Sequence, residues 1–451
     1  MEQMRFDVLV IGWGKAGKTL AGKLAGAGKK VALVEKSSTM YGGTCINIAC
    51  VPTKTLIVSA ERRGGADPAA YFAESVAHRD AFISKLRAAN YGMLDGKVAL
   101  IDGCAQFTGP HTVAVFAPEA AEGDEPELSI EAETIIINTG ALPAHPPIPG
   151  IDLPHVYDST TIQHADPFPG RLTIIGGSFI GLEFATMFNE FGSEVTVIDP
   201  AERLMPRVDE DVAASVRATM EGKGVRFVLG SRVEGIADEG GELVVSAGEE
   251  RVAGDAVLVA VGRTPASADL GLDAAGIEVN DRGFIVVDEH LRTNVEGVYA
   301  AGDINGGPQF TYVSFDDHRI ILDDLLGKGA RTRDDRVAVP WCAFLNPPLA
   351  SVGMTEAEAR EAGREVRIAK ADIAKIPVMP RPKILGNPAG MAKFVVDAAS
   401  DKILGATLYC VDSQELINTV ALAIRLGATA ADLRDGIWTH PSSSEVFNGV
   451  L

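Results

Sequence analysis

Cysteine is scarce in this chain, five among 451 residues, and that scarcity excludes a disulfide-stapled scaffold. In a reducing compartment one bridge among so few cysteines would be catalytic or sensing rather than structural. Long apolar runs are also lacking: nothing approaches the roughly 20 residues of a membrane-spanning helix. The opening Met-Glu-Gln-Met-Arg-Phe leads directly into a strand pattern without signal-peptide character, so we expect a cytoplasmic protein. Basic residues are in deficit, 41 against 61 acidic, for a formal net charge of −20. That balance opposes nucleic acid and anionic membranes and leaves small molecules or proteins as partners. Histidine is rare, eight residues in all, and none has structural-zinc spacing, so no resident metal is expected. What remains, 46% hydrophobic and 23% charged, is an ordinary globular composition. The length allows about three domains and a large buried core.

Two segments repeat one pattern. Asp7-Val-Leu-Val-Ile11 and Val31-Ala-Leu-Val-Glu35 read as buried parallel strands around a helix opened by Gly12-Trp-Gly14-Lys-Ala-Gly17. Leu172-Thr-Ile-Ile175, Gly176-Gly-Ser178-Phe-Ile-Gly181 and Glu194-Val-Thr-Val-Ile198-Asp199 repeat it. The interval from first glycine to strand-end acid is identical, 35 − 12 = 23 and 199 − 176 = 23. One such glycine turn is weak evidence; two with matched strands, helices and acids indicate two dinucleotide-binding domains. Gly12 permits the tight bend, Gly14 lets backbone approach a pyrophosphate, and Gly17 allows close helix-strand packing. The helix N-terminus favours phosphate, and Glu35 can accept from ribose hydroxyls. In the second turn Ser178 stands at the middle glycine position, so a hydroxymethyl must fit where phosphate approaches. Asp199 favours a free 2′-hydroxyl and hence NADH, while Arg203 nearby leaves NADPH open.

Behind the first turn comes Cys45-Ile-Asn-Ile-Ala-Cys50. An ideal helix would set residues five apart about 7.5 Å along its axis and roughly 140° around it, whereas a disulfide needs Cα atoms within about 7 Å and facing side chains. A sulfur pair here requires a distorted turn, for which Gly42-Gly43 supply backbone freedom. Two nucleotide sites and one dithiol imply a route from nicotinamide through a flavin to the cysteines. Lys54 could place positive charge near that flavin. His440, in Trp438-Thr-His440-Pro-Ser-Ser-Ser-Glu445, could shuttle protons if a carboxylate holds it, although its spacing fits a structural loop equally well.

Between the repeats, Gly103–Phe107 and Thr112–Phe116 read as short strands flanking an acidic hairpin loop, Glu119 to Glu127. Ile135-Ile-Ile-Asn138-Thr139-Gly140 and Val257-Leu-Val-Ala-Val-Gly262-Arg263 are matched strand ends, and Val298-Tyr-Ala-Ala-Gly302-Asp303 is a third. From about Val337, strands mix with helices such as Thr355–Ala362 and Gln414–Leu426, which suggests a separate C-terminal domain.

Together, Gly-Gly-Thr-Cys45-x4-Cys50-x-Pro-x-Lys54, the glycine turns, Thr139-Gly140, Val261-Gly262-Arg263-x-Pro265, Ala301-Gly302-Asp303 and His440-Pro-x3-Glu445 resemble the class I pyridine nucleotide-disulfide oxidoreductases. The resemblance covers essentially the whole chain. It implies an α/β fold of two Rossmann-like domains, for FAD and NAD(P), with a C-terminal α+β dimerisation domain, and a homodimer whose active site is shared between subunits. The implied boundaries are 1–150 completed by 266–336 for FAD, 151–265 for NAD(P) and 337–451 for the interface. By position, Cys45 would be the interchange thiol and Cys50 the thiol against the flavin. Lys54 would pair with Glu183, and His440 with Glu445 would be the acid/base pair reaching the partner's dithiol. Gly43, Thr44, Ala105, Thr139, Gly140, Gly302 and Asp303 would join the first turn and Glu35 in holding FAD. Gly176, Ser178, Gly181, Asp199 and Gly262 would hold the nicotinamide dinucleotide.

Within the family the chain is similar to the bacterial reactive-chlorine-resistance branch, mercuric-reductase-like and associated with copper(II) reduction. The supporting segments are Gly14-Lys-Ala-Gly-Lys-Thr-Leu20, Met40-Tyr-Gly-Gly-Thr-Cys45-Ile-Asn-Ile, Gln309-Phe-Thr-Tyr312 and Cys410-Val-Asp-Ser413 with Glu415. Tyr41 and Cys410-Val-Asp-Ser depart from the lipoamide pattern at positions expected to border substrate. Cys410 reads as a buried small hydrophobe or a substrate-side thiol. The expectation is an NADH-driven reductase of an oxidised acceptor such as Cu(II), with a dihydrolipoyl dehydrogenase or a non-catalytic redox sensor as rivals.

Overall fold

The computed structural model describes residues 2–121 and 123–451. The chain forms two compact units. One comprises residues 1–56, 74–144 and 263–335; the other comprises 57–73, 145–262 and 336–451.

The first unit is built on a seven-stranded sheet. Its parallel part orders Ala99–Asp102, Val31–Glu35, Glu2–Ile11 and Leu128–Ile137, with Val298–Ala300 alongside the last. Val31–Glu35 is buried throughout, as a strand covered on both faces must be. The register sets Ile11 beside both Val34 and Ile137, and Ala300 beside Ile137. Gly12, Glu35, Asn138 and Ala301 consequently emerge together at the carboxyl edge of the sheet, where open α/β sheets bind ligands. The helix Lys15–Gly26 buries Leu20, Ala21 and Leu24. One expectation needs correcting. Cys104–Gly109 and Thr112–Phe116 do not flank the acidic segment; they pair with each other, and the segment joins the second of them to Leu128–Ile137. The short Gly109-Pro-His-Thr112 link is itself a hairpin turn, so these strands close locally before the acidic residues begin. Glu122, within that segment, lies outside the described residues.

The second unit repeats the parallel motif. Its sheet orders Arg226–Leu229, Glu194–Asp199, Arg171–Ile175, Ala256–Val259 and Val156–Tyr157, with a separate three-stranded antiparallel sheet over Val233–Gly254. Its C-terminal part is a five-stranded antiparallel sheet ordered Trp341–Ala343, Leu349–Gly353, Ile403–Tyr409, Met391–Asp397 and Val366–Asp372. Helix Ser413–Leu426 buries Leu416, Ile417 and Val420 in that core, the spacing of one helix face. Glu356–Glu361 is held by a capping box between Thr355 and Glu358. Among the described residues no helix is long and apolar enough to cross a membrane.

Candidate functional site

At the first glycine turn, Gly12 has φ +95°, and a Cβ there would fall 2.6 Å from the Asn138 carbonyl oxygen. Gly17 N–H donates to Asn138 Oδ1 at 2.8 Å, and Asn138 Nδ2 donates to the Ala301 carbonyl. Ala16 N–H donates to Ser314 Oγ at 3.2 Å. One asparagine thus ties the start of a helix to the ends of two strands. Trp13 N–H donates to Glu35 Oε2 at 2.9 Å, fixing the acid beside the turn, where burial holds its carboxyl above the ordinary range. Gly43 closes the other side: a Cβ there would meet Gly14 Cα and the Trp13 carbonyl oxygen at 2.9 Å, so bare backbone faces bare backbone. Asp303 sits in the short turn Gly302–Asn305, raised by burial with Arg263 opposing. A backbone cradle flanked by two partly desolvated carboxylates fits a dinucleotide, whose phosphates take N–H donors and whose hydroxyls donate to acids. Thr139 Oγ1 donates to the Ala266 carbonyl, and Gly140 has φ +77°. Ala105 is a paired residue of the strand Cys104–Gly109, half-buried.

The second turn has the same construction with one substitution. Gly177 N–H donates to Asp199 Oδ2 at 2.6 Å, the counterpart of Trp13 to Glu35. Gly176 has φ +114°, and its Cβ would fall 2.5 Å from the Ala260 carbonyl oxygen; at Gly181 the clash would be 1.8 Å, with the Gly176 oxygen. Ala260 therefore stands where Asn138 stands in the first turn. A Cβ at Gly14 would collide with the Asn138 amide at 2.2 Å, whereas alanine at 260 carries no amide. This explains Ser178, whose side chain is exposed at the N-cap of helix Phe179–Phe191. Gly262, φ +127°, has no heavy atom within 4 Å of its Cβ position, so its backbone faces open space. Arg203 donates to the Val208 and Pro206 carbonyls.

The cysteines are brought together by a broken helix, as their spacing requires. Thr44–Asn47 forms one helical turn, Ile48 leaves helical geometry at φ −129°, and a new helix, Cys50–Glu61, begins two residues later. Both are free thiols, Cys50 exposed and Cys45 half-buried, and they are hydrogen-bonded to each other. That bond, then burial, raises the Cys45 thiol strongly. Thr311, opening the helix Thr311–Leu326, sets its Oγ1 3.5 Å from Cys50 Sγ and also hydrogen-bonds Cys45. Thr311 has no motif role legible in sequence; the Gln309-Phe-Thr-Tyr312 segment was its only sign. Lys18 was also missed: Nζ donates to Asn90 Oδ1 at 2.6 Å and to the Gly42 carbonyl at 3.2 Å, and interacts electrostatically with Cys45.

In the second unit, His440 Nδ1 lies 2.7 Å from Glu445 Oε1, and Ser442 N–H donates to Glu445 Oε2 at 2.9 Å. Burial pushes the Glu445 carboxyl up, but the Ser442 N–H and His440 outweigh it and hold it below the ordinary range. The ionised carboxylate requires Nδ1 to donate, which leaves Nε2 as the proton acceptor, and the imidazole is 68% exposed. Glu183 is buried on helix Phe179–Phe191 and accepts from Phe344 N–H at 2.8 Å; Lys54 lies half-buried on the helix Cys50–Glu61 of the cysteines. Cys410 is fully buried and burial pushes its thiol up to about 12, so it is the small hydrophobe and not a substrate-side thiol. The cause is its place at the end of the core strand Ile403–Tyr409. Tyr41 packs its ring on Trp13 at 4.6 Å and donates its hydroxyl to Asp102 at 2.6 Å. Among the described residues no group of three or more His, Cys, Asp or Glu could hold a metal ion.

Comparison with known proteins agrees with this geometry. The family model for pyridine nucleotide-disulphide oxidoreductases matches residues 6–317, and its dimerisation-domain model matches 339–450. RclA of Escherichia coli, a probable pyridine nucleotide-disulfide oxidoreductase, is 44% identical over 99% of this chain and 99% of its own. A mercuric reductase of Lysinibacillus sphaericus is 32% identical, covering 98% of this chain and 81% of its own. The solved Cu(II) complex of the HOCl-induced flavoprotein disulfide reductase RclA from Escherichia coli superimposes with a TM-score of 0.93 at 43% identity, covering 99% of this chain and 98% of that one.

Proposed function

The chain belongs to the pyridine nucleotide-disulphide oxidoreductases, FAD flavoproteins that use NAD(P)H, and on that premise we propose that it reduces a metal ion, Cu(II), in defence against oxidants. The observation that carries the reading is the pair Cys45 and Cys50, set side by side by the helix break at Ile48. FAD, when bound, accepts hydride from NAD(P)H and supplies two electrons to a disulfide.

The residues divide the remaining work. Gly12, Gly14, Gly17, Gly43, Thr44, Thr139, Gly140, Glu35, Gly302 and Asp303 hold FAD, while Gly176, Ser178, Gly181, Gly262 and Asp199 hold the nicotinamide nucleotide. Residues 1–150 with 266–336, 151–265 and 337–451 form the FAD, nicotinamide and dimerisation domains. Asp199 disfavours a 2′-phosphate by charge, and the guanidinium of Arg203 is spent on backbone carbonyls, so NADH is the donor. Cys45 meets the acceptor and Cys50 lies against the flavin. Oxidation of the dithiol to a disulfide releases two electrons and two protons. Two Cu(II) ions take one electron each and become Cu(I); of the two protons, His440 of the partner subunit, oriented by Glu445, takes one and solvent takes the other. Lys54 places positive charge near the reactive edge of the flavin. The Cu(II) complex and HOCl induction of RclA and the mercuric reductases among the relatives support a metal acceptor.

The test is anaerobic NADH titration, followed by NADH oxidation with Cu(II), Hg(II), lipoamide and oxidised glutathione in parallel. A thiolate-flavin charge-transfer band with Cu(II)-stimulated turnover is expected. Turnover with lipoamide and not with Cu(II) would move the protein to dihydrolipoyl dehydrogenase; no turnover with any acceptor would make it a redox sensor.

A further inference from the structure

Lys18 is a half-buried lysine beside the redox turn that the mechanism above does not use. It projects from the nucleotide helix Lys15–Gly26, and its Nζ is held at two points. One is the Gly42 carbonyl, three residues before Cys45; the other is Oδ1 of Asn90, which is buried on the helix Pro68–Leu94. Asn90 is itself fixed by donating to the Leu86 carbonyl at 2.8 Å, and its Cγ sits 3.3 Å from the position a Gly42 Cβ would take. The turn is braced from the other side as well: Asn47 Nδ2 donates to the Tyr41 and Gly43 carbonyls at 3.0 Å, and Arg87 Nε donates to Asn47 Oδ1. An ammonium kept this far from water, with a neutral amide and a carbonyl as its hydrogen-bond partners here, has no carboxylate to balance it among those contacts. The anion within its electrostatic reach is the thiolate that Cys45 becomes.

We propose that Lys18 is a positioning residue for the redox turn, pinning Gly42 against Asn90 and stabilising the Cys45 thiolate when it forms. The charge matters as well as the contacts. A cation beside a thiol favours the ionised, nucleophilic form, and low local dielectric strengthens the effect. The inference rests on Cys45 being the thiol that meets the acceptor.

The experiment measures Cys45 directly. In the flavin-loaded Cys50→Ser protein, alkylation of Cys45 by iodoacetamide is followed against pH with Lys18 intact, as Lys18→Gln and as Lys18→Arg. Glutamine can keep a hydrogen bond to Asn90 without the charge; arginine keeps the charge. The expected result is roughly a tenfold slower alkylation at pH 7 for Lys18→Gln, one unit of thiol pKa, with most of the rate restored in Lys18→Arg. Equal rates in all three proteins would overturn the proposal, as would equal slowing in both variants, which would indicate packing alone. The reading of Cys45 as the interchange thiol fails separately, if the Cys45→Ser enzyme with Cys50 intact turns over Cu(II) as fast as the unsubstituted enzyme.

Discussion

The side-chain amide of Asn138 occupies the space that a methyl group at Gly14 would need, its Oδ1 lying 2.2 Å from that position. The glycine is therefore required by the protein's own interior as well as by any phosphate. Gly14→Ala should abolish flavin retention. Asn138→Ala should leave the Gly17 N–H and the Ala301 carbonyl without partners, at a cost of about 1–3 kcal/mol for each buried group. The double variant should lose less than the two singles summed, because the clash is gone. Urea melts and bound-flavin content of the four proteins check this; strict additivity would refute the coupling.

Lys18 supplies a pH signature. Burial, and next the like charge of Lys15, bring it down to about 8, with Cys45 acting in the opposite direction. A lysine with a lowered value is charged below that pH and neutral above it. Its help to the Cys45 thiolate is thus present at neutral pH and fades as pH rises through about 8. The alkylation profiles of the Lys18-intact and Lys18→Gln proteins should converge there; a constant ratio across the range would contradict the charge-based account.

Glu445 should govern the orientation of His440. Its carboxylate, held ionised by the Ser442 N–H and the imidazole, requires Nδ1 to carry the proton and leaves Nε2 to accept one. Glu445→Gln removes that constraint, so kcat should fall roughly tenfold or more while bound-flavin content stays unchanged. Because the Glu445 value is depressed in the folded protein, its contribution to stability is present above the ordinary carboxylate range and is lost as pH falls through the folded value. Glu445→Gln should accordingly flatten the acid side of the stability curve.

Nucleotide choice should depend on Asp199 and be indifferent to Arg203. Arg203→Ala is expected to leave the ratio of NADH to NADPH kcat/KM within about threefold, since its guanidinium serves the Pro206 and Val208 carbonyls. A collapse of NADPH use alone would show that the arginine reads the 2′-phosphate.

Lys393 predicts a stability effect far from the chemistry. Its Nζ, almost fully buried, lies 3.0 Å from Asp209, 2.9 Å from Asp211 and 2.9 Å from Glu356. The acids belong to the starts of two helices, so one ammonium gathers both ends against the C-terminal sheet. Lys393→Met takes the ammonium from the buried Asp209, while Asp211 keeps Lys370 and Glu356 keeps Arg360, and should cost about 3–5 kcal/mol. A thermal-unfolding change under a degree would refute it.

The pairing of the histidine with its glutamate was legible only through the family resemblance, whereas the glycine turns, the strand-end acids and the cysteine pair were legible because each is a local pattern with fixed spacing. The broken helix was legible for the same reason, five residues being incompatible with one regular helix. Asn138, Thr311 and Lys18 were not. Asn138 meets Gly17 across 121 residues, and Thr311 meets Cys50 across 261, so no window along the chain contains both partners. Cys410 was open between core and site because its neighbours Asp412 and Ser413 look polar; the strand before them carries the cysteine into the core, as the small-hydrophobe reading expected. Ser178 looked like a weakness in the second turn because nothing along the chain shows that residue 260, alanine where its counterpart is asparagine, packs against that turn.

That last difference separates a resident from a visitor. The first turn is stitched through Asn138 to distant strands, so opening it would disturb the interior, which suits a cofactor that stays through every cycle. At the second turn the corresponding stitch is absent and a hydroxymethyl group faces outward, so the nucleotide held there can arrive and depart while the framework beneath it keeps still.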